Sequence, residues 1–332
     1  MHLATHALFS LVLARAFFAK RGWPLFAGIV VAGTLADLDL LASLFGPAAY
    51  LAGRNTITHS ILGTLLVIFL AALIVRALDK NKTASLKIIL IAVSLSAALH
   101  LLLDFFSTAG VALLWPFRAT RYSTDWLPNI DPWLLAFLLA GLLLPELRRM
   151  VTSEIGAKEN SPRGQTGAVV ALAIIALYIA AKFLLHSSSL SLLESRAYHG
   201  ESAAHIASLP DAFSPLNWIG IEETESLLCT VPVAIAGKPF DPEVARCQHK
   251  PDPTSTLAQA QQTAVAQKYL SATRFPRASV VSTTDGTAVA LRSMRDFAQG
   301  DPSHAVAAQI LLDAHSRIIS AQIVWAQEIH ER

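Results

Sequence analysis

The chain has 332 residues, 53% of them hydrophobic and only 15% charged, with a mean hydropathy of +0.48. Soluble domains carry about 25% charged residues, so the composition excludes a protein that is water-soluble throughout. A net charge of +2 argues against a nucleic-acid partner, and no phosphate-binding loop, zinc-finger pattern or internal repeat is present.

Residues 1–186 carry long apolar blocks, whereas 187–332 have the composition of an ordinary globular domain. The expected fold is therefore mainly α: a six-helix transmembrane bundle over 1–186, then a small soluble α+β domain over 187–332. The first block, "LATHALFSLVLARAFFA", has no basic leader and no small-residue cleavage site, so it reads as a retained membrane helix. The six predicted spans are 3–19, 24–46, 59–78, 86–107, 131–147 and 166–186. The fifth is short enough to be tilted or re-entrant. Lipid-exposed backbone has no water to bond with, so helix is the economical form for all of them.

Orientation follows from the basic residues of short loops. Lys20, Arg21, Arg76, Lys80, Lys82, Lys87, Arg148, Arg149, Lys158 and Arg163 fall in alternate loops, against Arg54, Arg118 and Arg121 in the others. The larger group predicts the cytoplasmic side. Both termini and the C-terminal domain are then extracytoplasmic, an oxidising setting in which Cys229 and Cys247 form either a disulfide or two buried thiols.

With that orientation, His6, Asp37, Asp39, His59, His100, Asp104 and Asp131 all fall in the outer half of the bilayer. Individually they have plainer readings: Asp131 as a helix cap, His6 and His59 as interfacial residues with polar tips in the headgroups. A carboxylate at a helix centre, however, costs about 2.5–3.5 kcal/mol even on the insertion scale. Imidazoles and carboxylates gathered at one depth are the ligand set of zinc, manganese or iron. His100 and Asp104, in "SAALHLLLDFFSTAG", are four apart and share a helix face. Asp37 and Asp39 would point about 200° apart on a regular helix, so either one of them is not a ligand or the helix breaks at Gly33–Thr34.

The ordered motifs "THALF", "GTLADLD", "RNTITHS", "HLLLDFFSTAG", "LLWPF" and "DPW" resemble the membrane-bound metal-dependent hydrolase family of the YdjM type, which includes an inner-membrane protein described as LexA-binding. The resemblance covers about residues 1–145 and implies a bacterial inner-membrane protein. It marks His6, Asp37, Asp39, His59, His100 and Asp104 as metal-site residues, with Asp131 a weaker candidate. The chain departs from the pattern at Ala36, where the family often has Pro; at Asn55 and Thr56, where it often has Arg-Gly; and at Ser10, where Gly is common. These departures bear on local backbone shape and on the role of Arg54.

The expected function is a membrane-embedded, metal-dependent hydrolase acting on a phosphoester of a lipid or other amphiphilic substrate at the outer leaflet. One or two divalent ions would activate water, with Asp39 as bridging ligand or general base. Arg54, Arg118 and Arg121 would hold a phosphate, or else rest among lipid headgroups. The competing classes are a metal-stabilised scaffold or regulatory protein without catalysis, and an ion- or proton-coupled transporter.

In the C-terminal domain, 186–209 reads as a linker leading into an amphipathic helix, and 255–275 as helical. "TAVALRSMRDF" reads as a strand, and 303–327 as two strands around a turn at Asp313–Ser316. His199, His205, His249, His304 and His315 show no ligand spacing. Trp218 in "FSPLNWIGIEE" is a candidate cover over the membrane site; the alternative is a domain that binds a protein partner or a cell-wall polymer.

Overall fold

The computed structural model describes residues 1–154, 164–196, 200–237, 240–283, 286–299 and 305–328. Two compact units emerge: Met1–Leu38 with Ile57–Trp115 and Tyr122–Leu184, and Asp39–Thr56 with Pro116–Arg121 and Leu185–Arg332. Lys158, Arg163, His199 and His304 lie outside the described residues.

All six apolar blocks are helical. α1 spans Leu3–Phe17, and α2 spans Trp23–Ala32 and runs into a 3-10 segment, Leu35–Phe45. α3 is Pro47–Gly53, α4 Ile61–Leu78, α5 Leu86–Phe106, α6 Pro132–Glu154 and α7 Gln165–Glu194. Ser60 and Ser85 open α4 and α5 by accepting from Gly63 N and Ile88 N, satisfying amides that no helical carbonyl reaches. Among the described residues, length and apolarity support three crossings (α4, α5 and α7), or four if α2 and its 3-10 extension, bent by 49°, count as one. The sequence predicts six. The shortfall has physical causes: the 15 residues of α1 reach about 22 Å against a hydrocarbon core of about 30 Å, and α6 carries Glu146, Arg148 and Arg149 in its second half.

Two apolar clusters hold the first unit. One joins α1, α2, α4 and α5 through Leu13, Leu25, Ile29, Val75, Ile89 and Val93. The other packs Phe9, Val12, Leu103, Leu134, Leu138 and Ile175. Small residues allow close helix approach. At the end of α2, a Cβ on Gly33 would lie 1.8 Å from Ser10 Oγ and 2.7 Å from Ser96 Oγ. Those two hydroxyls are themselves 3.2 Å apart, and Ser96 Oγ donates to Ile29 O at 2.7 Å. Three elements meet at Gly33, and the helix breaks there.

The second unit contains two four-stranded antiparallel sheets where the sequence predicts one small sheet. The first has the order β1 (His205–Pro210), β2 (Asn217–Glu223), β3 (Leu227–Ala234), β4 (Arg246–His249). α8 (Ser255–Gln261) and α9 (Ala264–Ala272) follow, as the helical reading of 255–275 predicts. The second sheet is β5 (Pro276–Thr283), β6 (Gly286–Ser293), β7 (Val306–Asp313), β8 (Ile318–Trp325), with α10 (Met294–Gln299) between β6 and β7. The predicted turn joins β7 and β8.

Over 186–209 the structure overturns the expected linker and amphipathic helix: α7 continues to Glu194, and His205–Pro210 forms β1. A six-residue edge segment carries little local periodicity, and its pairing with β2 is non-local. Trp218 is no cover; it is fully buried in the first sheet's core with Leu193, Val231 and Val233. His205, His249 and His315 are exposed. Cys229 and Cys247 sit opposite each other on β3 and β4 and form a disulfide. α3 belongs to this unit: Leu51 is buried with Leu257, Tyr269, Val289 and Ile310, and the Tyr50 ring meets that of Trp325 at a tilt, centroids 5.5 Å apart.

Gly33→Ala should destabilise the protein by about 1–3 kcal/mol through overpacking, read as a lowered Tm in detergent. Adding Ser10→Gly should recover most of that loss; additive losses would contradict the packing described. Reducing the disulfide, which closes a separation of 18 residues, should cost about 3 kcal/mol and leave a lower urea midpoint for the second unit.

Candidate metal centre

Four elements of the first unit bring five polar side chains together. His6 lies on α1, Asp37 on the first turn of the 3-10 segment, and His100 and Asp104 on consecutive turns of α5. His59 immediately precedes Ser60, whose capping of α4 fixes the backbone there; a Cβ on Gly63 would collide with Ile57 O, so the turn is tight. None of the five is more than 4% exposed.

Asp104 is the hub. Its Oδ1 is 3.2 Å from His6 Nε2 and also pairs with the Met1 amine, while its Oδ2 is 2.9 Å from His59 Nε2 and 3.3 Å from His100 Nε2. Asp37 Oδ1 approaches His59 Nε2 at 3.9 Å. The rings of His6 and His100 are 3.9 Å apart, and those of His59 and His100 5.1 Å.

The orientation of His100 follows from its neighbours. Its Nδ1 is 2.8 Å from Gly33 O, and a carbonyl only accepts, so Nδ1 donates to it and Nε2 is the nitrogen turned toward the group. His59 Nε2 lies 3.1 Å from His100 Nε2, and Thr58 Oγ1 is 3.0 Å from His59 Nδ1. An imidazole whose outer nitrogen is fixed by a carbonyl, with its inner nitrogen facing carboxylates, has the second-contact pattern of a metal-ligating histidine.

The group passes a test of size. Ligand atoms of His6, Asp37, His100 and Asp104 all lie within 4.8 Å of one another. Ligands at about 2.0–2.2 Å from one ion can be at most about 4.4 Å apart, so a contraction of a few tenths of an ångström would seat one. The buried His/Asp group could hold a metal ion, with His59 beside it.

The sequence profile of the YdjM inner membrane protein family matches residues 1–188. The chain belongs to that family. It is accordingly an inner membrane protein, and the YdjM match encloses every residue of the group while the sheets of the second unit lie beyond it. No curated protein and no solved structure matches the chain.

Within the YdjM-matched region, the other candidates sit differently. Asp39 falls in the second unit, where it accepts from Arg54 Nη1 at 2.6 Å and Asn55 N at 2.7 Å. Arg54 is thereby engaged with a carboxylate, and Arg118 is exposed. Arg121 Nη2 donates to Leu51 O at 3.3 Å and Arg54 O at 2.8 Å, at the C-terminal end of α3. Burial, with help from Arg295 and Arg54, pushes its pKa down to about 10. Asp131 lies outside the group and caps α6, accepting from Trp133 N and Leu134 N at 3.0 Å and from Tyr178 Oη at 2.9 Å. Ser10, at a position where the resemblance calls for Gly, pairs with Ser96.

Two contributors are not singled out by the sequence, one to the buried group and one beside the Asp131 cap. The Gly33 carbonyl is freed by the break in α2, which was visible as Gly-Thr in an apolar run. Lys182 is buried on α7 one turn after Tyr178, where its charge acts on Asp131; a lysine inside "AAKFLL" was the signal.

Asp131→Ala should therefore behave as a lost cap, costing about 0.5–2 kcal/mol in thermal unfolding while the metal content of the purified protein stays at the wild-type level. Loss of metal in this variant would make Asp131 a ligand after all.

Proposed function

We propose that the protein is a membrane metal-dependent hydrolase acting on a phosphoester of an amphiphilic substrate, a lipid phosphate or similar. The observation that carries the reading is the convergence of three imidazole Nε2 atoms on one buried aspartate, with a second aspartate alongside. His6, Asp37, His59, His100 and Asp104 would hold the ion, zinc first by ligand type, with manganese or iron as alternatives. A divalent ion bound there supplies Lewis acidity, polarising a phosphoryl oxygen and acidifying water. The donor count leaves room for a second ion.

The chain's own residues have the following roles in this reading. Gly33 O and Thr58 Oγ1 hold His100 and His59 in orientation. Asp104, contacted by all three imidazoles, is a fixed ligand. Asp37 receives the proton of the attacking water and returns it to the leaving oxygen as the phosphorus–oxygen ester bond breaks. With Asp39 tied to Arg54, the general-base role passes from Asp39 to Asp37.

The proposal includes topology: six membrane passages, the shorter helices tilted or sunk among their neighbours, with the metal group toward the outer leaflet and the C-terminal domain extracytoplasmic. The charge bias of the loops supports it. The near-complete enclosure of the group favours a second reading, in which a bound ion serves a scaffold or regulatory protein without catalysis.

Zinc- or manganese-loaded protein should hydrolyse a chromogenic phosphodiester or a lipid phosphate, and Asp37→Asn should lower kcat about a hundredfold or more per bound ion. Loaded protein inactive on every such substrate would select the scaffold reading, and ion flux in liposomes the transporter. Topology is checked separately: a membrane-impermeant maleimide should label Arg118→Cys but not Lys20→Cys in intact cells, and the reverse would invert the orientation.

A further inference from the structure

Two members of the buried group, Asp37 and His59, are joined by an excursion of the chain into the second unit. Leu38 and Ile57 belong to the first unit, and residues 39–56 between them belong to the second. The two side chains nevertheless approach each other, Asp37 Oδ1 lying 3.9 Å from His59 Nε2. A free loop of that length would leave its ends many relative arrangements. The ends are therefore held by bonds within the excursion.

The Asp39 carboxylate supplies them. Its Oδ1 accepts from Arg54 Nη1 at 2.6 Å and its Oδ2 from Asn55 N at 2.7 Å, closing the excursion at its base. Asn55 sits at φ 54°, a left-handed conformation that asparagine tolerates better than most residues. Thr56 Oγ1 then bonds Ala52 O at 2.9 Å and Gly53 O at 2.7 Å, fixing the exit from α3. Asp39 follows Asp37 by two residues and Asn55 precedes His59 by four. Both members of the group thus hang on short arms from one latch. The latch is held in turn by the core of the second unit. Arg54 directly follows α3, and its amide donates to Tyr50 O at 2.9 Å. Leu51, one turn earlier, is buried with Ala266, Tyr269, Val289 and Ile310, and Arg121 Nη2 donates to both Leu51 O and Arg54 O. The end of α3 cannot shift without giving up that burial and those bonds.

We propose that the second unit controls the metal centre through this excursion. With α3 seated in its core the Asp39–Arg54 latch stays closed, and the closed latch holds Asp37 and His59 in place for one cation. Arg54 and Asp39 are then positioning residues that act through their neighbours in the chain. The coupling is carried by the chain itself and by bonds inside the second unit. Linkage makes it reciprocal: a bound cation favours seated α3, and anything that loosens α3 lowers the affinity for the cation. The inference rests on the buried group being a metal centre and gives the C-terminal domain a role in its regulation.

The test is the zinc affinity of the full-length protein in detergent, measured by competition with a chromophoric chelator. Arg54→Gln opens the latch, and Leu51→Ala loosens α3 in its core. Val231→Ala, in the core of the first sheet, weakens the same unit away from α3 and serves as the control. Arg54→Gln and Leu51→Ala should each weaken zinc binding about tenfold or more, and Arg54→Lys should recover part of the loss. Val231→Ala should stay within about twofold of wild type, since a merely structural role would lower its affinity alike. Zinc affinity unchanged in either Arg54→Gln or Leu51→Ala, or lowered equally in Val231→Ala, overturns the proposal while leaving the metal centre intact. Wild type that binds neither zinc nor manganese removes the metal centre, and the proposal with it.

Discussion

The first unit is organised around a burial problem. Asp37 and Asp104 sit almost fully enclosed among apolar helices, where a bare carboxylate would lose most of its hydration. Three imidazoles and the Met1 amine surround Asp104, yet neutral imidazoles offset a carboxylate only in part. Breaking a buried charge pairing costs about 3–5 kcal/mol, so the arrangement is held wherever the chain can supply partners. A divalent cation is the simplest addition that neutralises both aspartates and accepts the imidazole lone pairs at once.

That demand explains the local shape of the chain. The break at Gly33 opens α2, frees the carbonyl that orients His100, and turns Asp37 toward the group. The same glycine lets α1 and α5 approach through Ser10 and Ser96, which sets His6 and His100 ring against ring. Ser60 opens α4 so that His59 lies just outside its first turn. Helix packing and the polar group are thus one construction, and a change at Gly33 reaches both.

Much of this was legible in the sequence because burial in lipid imposes simple rules. Apolar blocks had to be helices, and the i, i+4 pair His100 and Asp104 had to share a face. Even the break before Asp37 was signalled by Gly-Thr. Asp39 was less legible: after a helix breaks, a regular 100° step no longer predicts direction, and Asp39 turns to Arg54. Asp131 reads alike as cap or ligand, since both uses need a carboxylate at a helix start; the neighbouring amides and Tyr178 decide it. The first sheet was hidden because β1 is short and its pairing with β2 is set by contacts outside its own sequence. The membership of α3 in the second unit was hidden for a similar reason: Leu51 packs against residues more than two hundred positions away.

The central claim is that a cation gathers these five side chains. The most direct measurement is elemental analysis of the full chain purified without chelator, wild type beside His100→Ala and Asp104→Ala. Wild type should carry at least about one divalent ion per chain, and each variant should fall to about a tenth of that or less. Metal-free wild type that remains folded and does not take up zinc or manganese, or variants with undiminished metal, would contradict it.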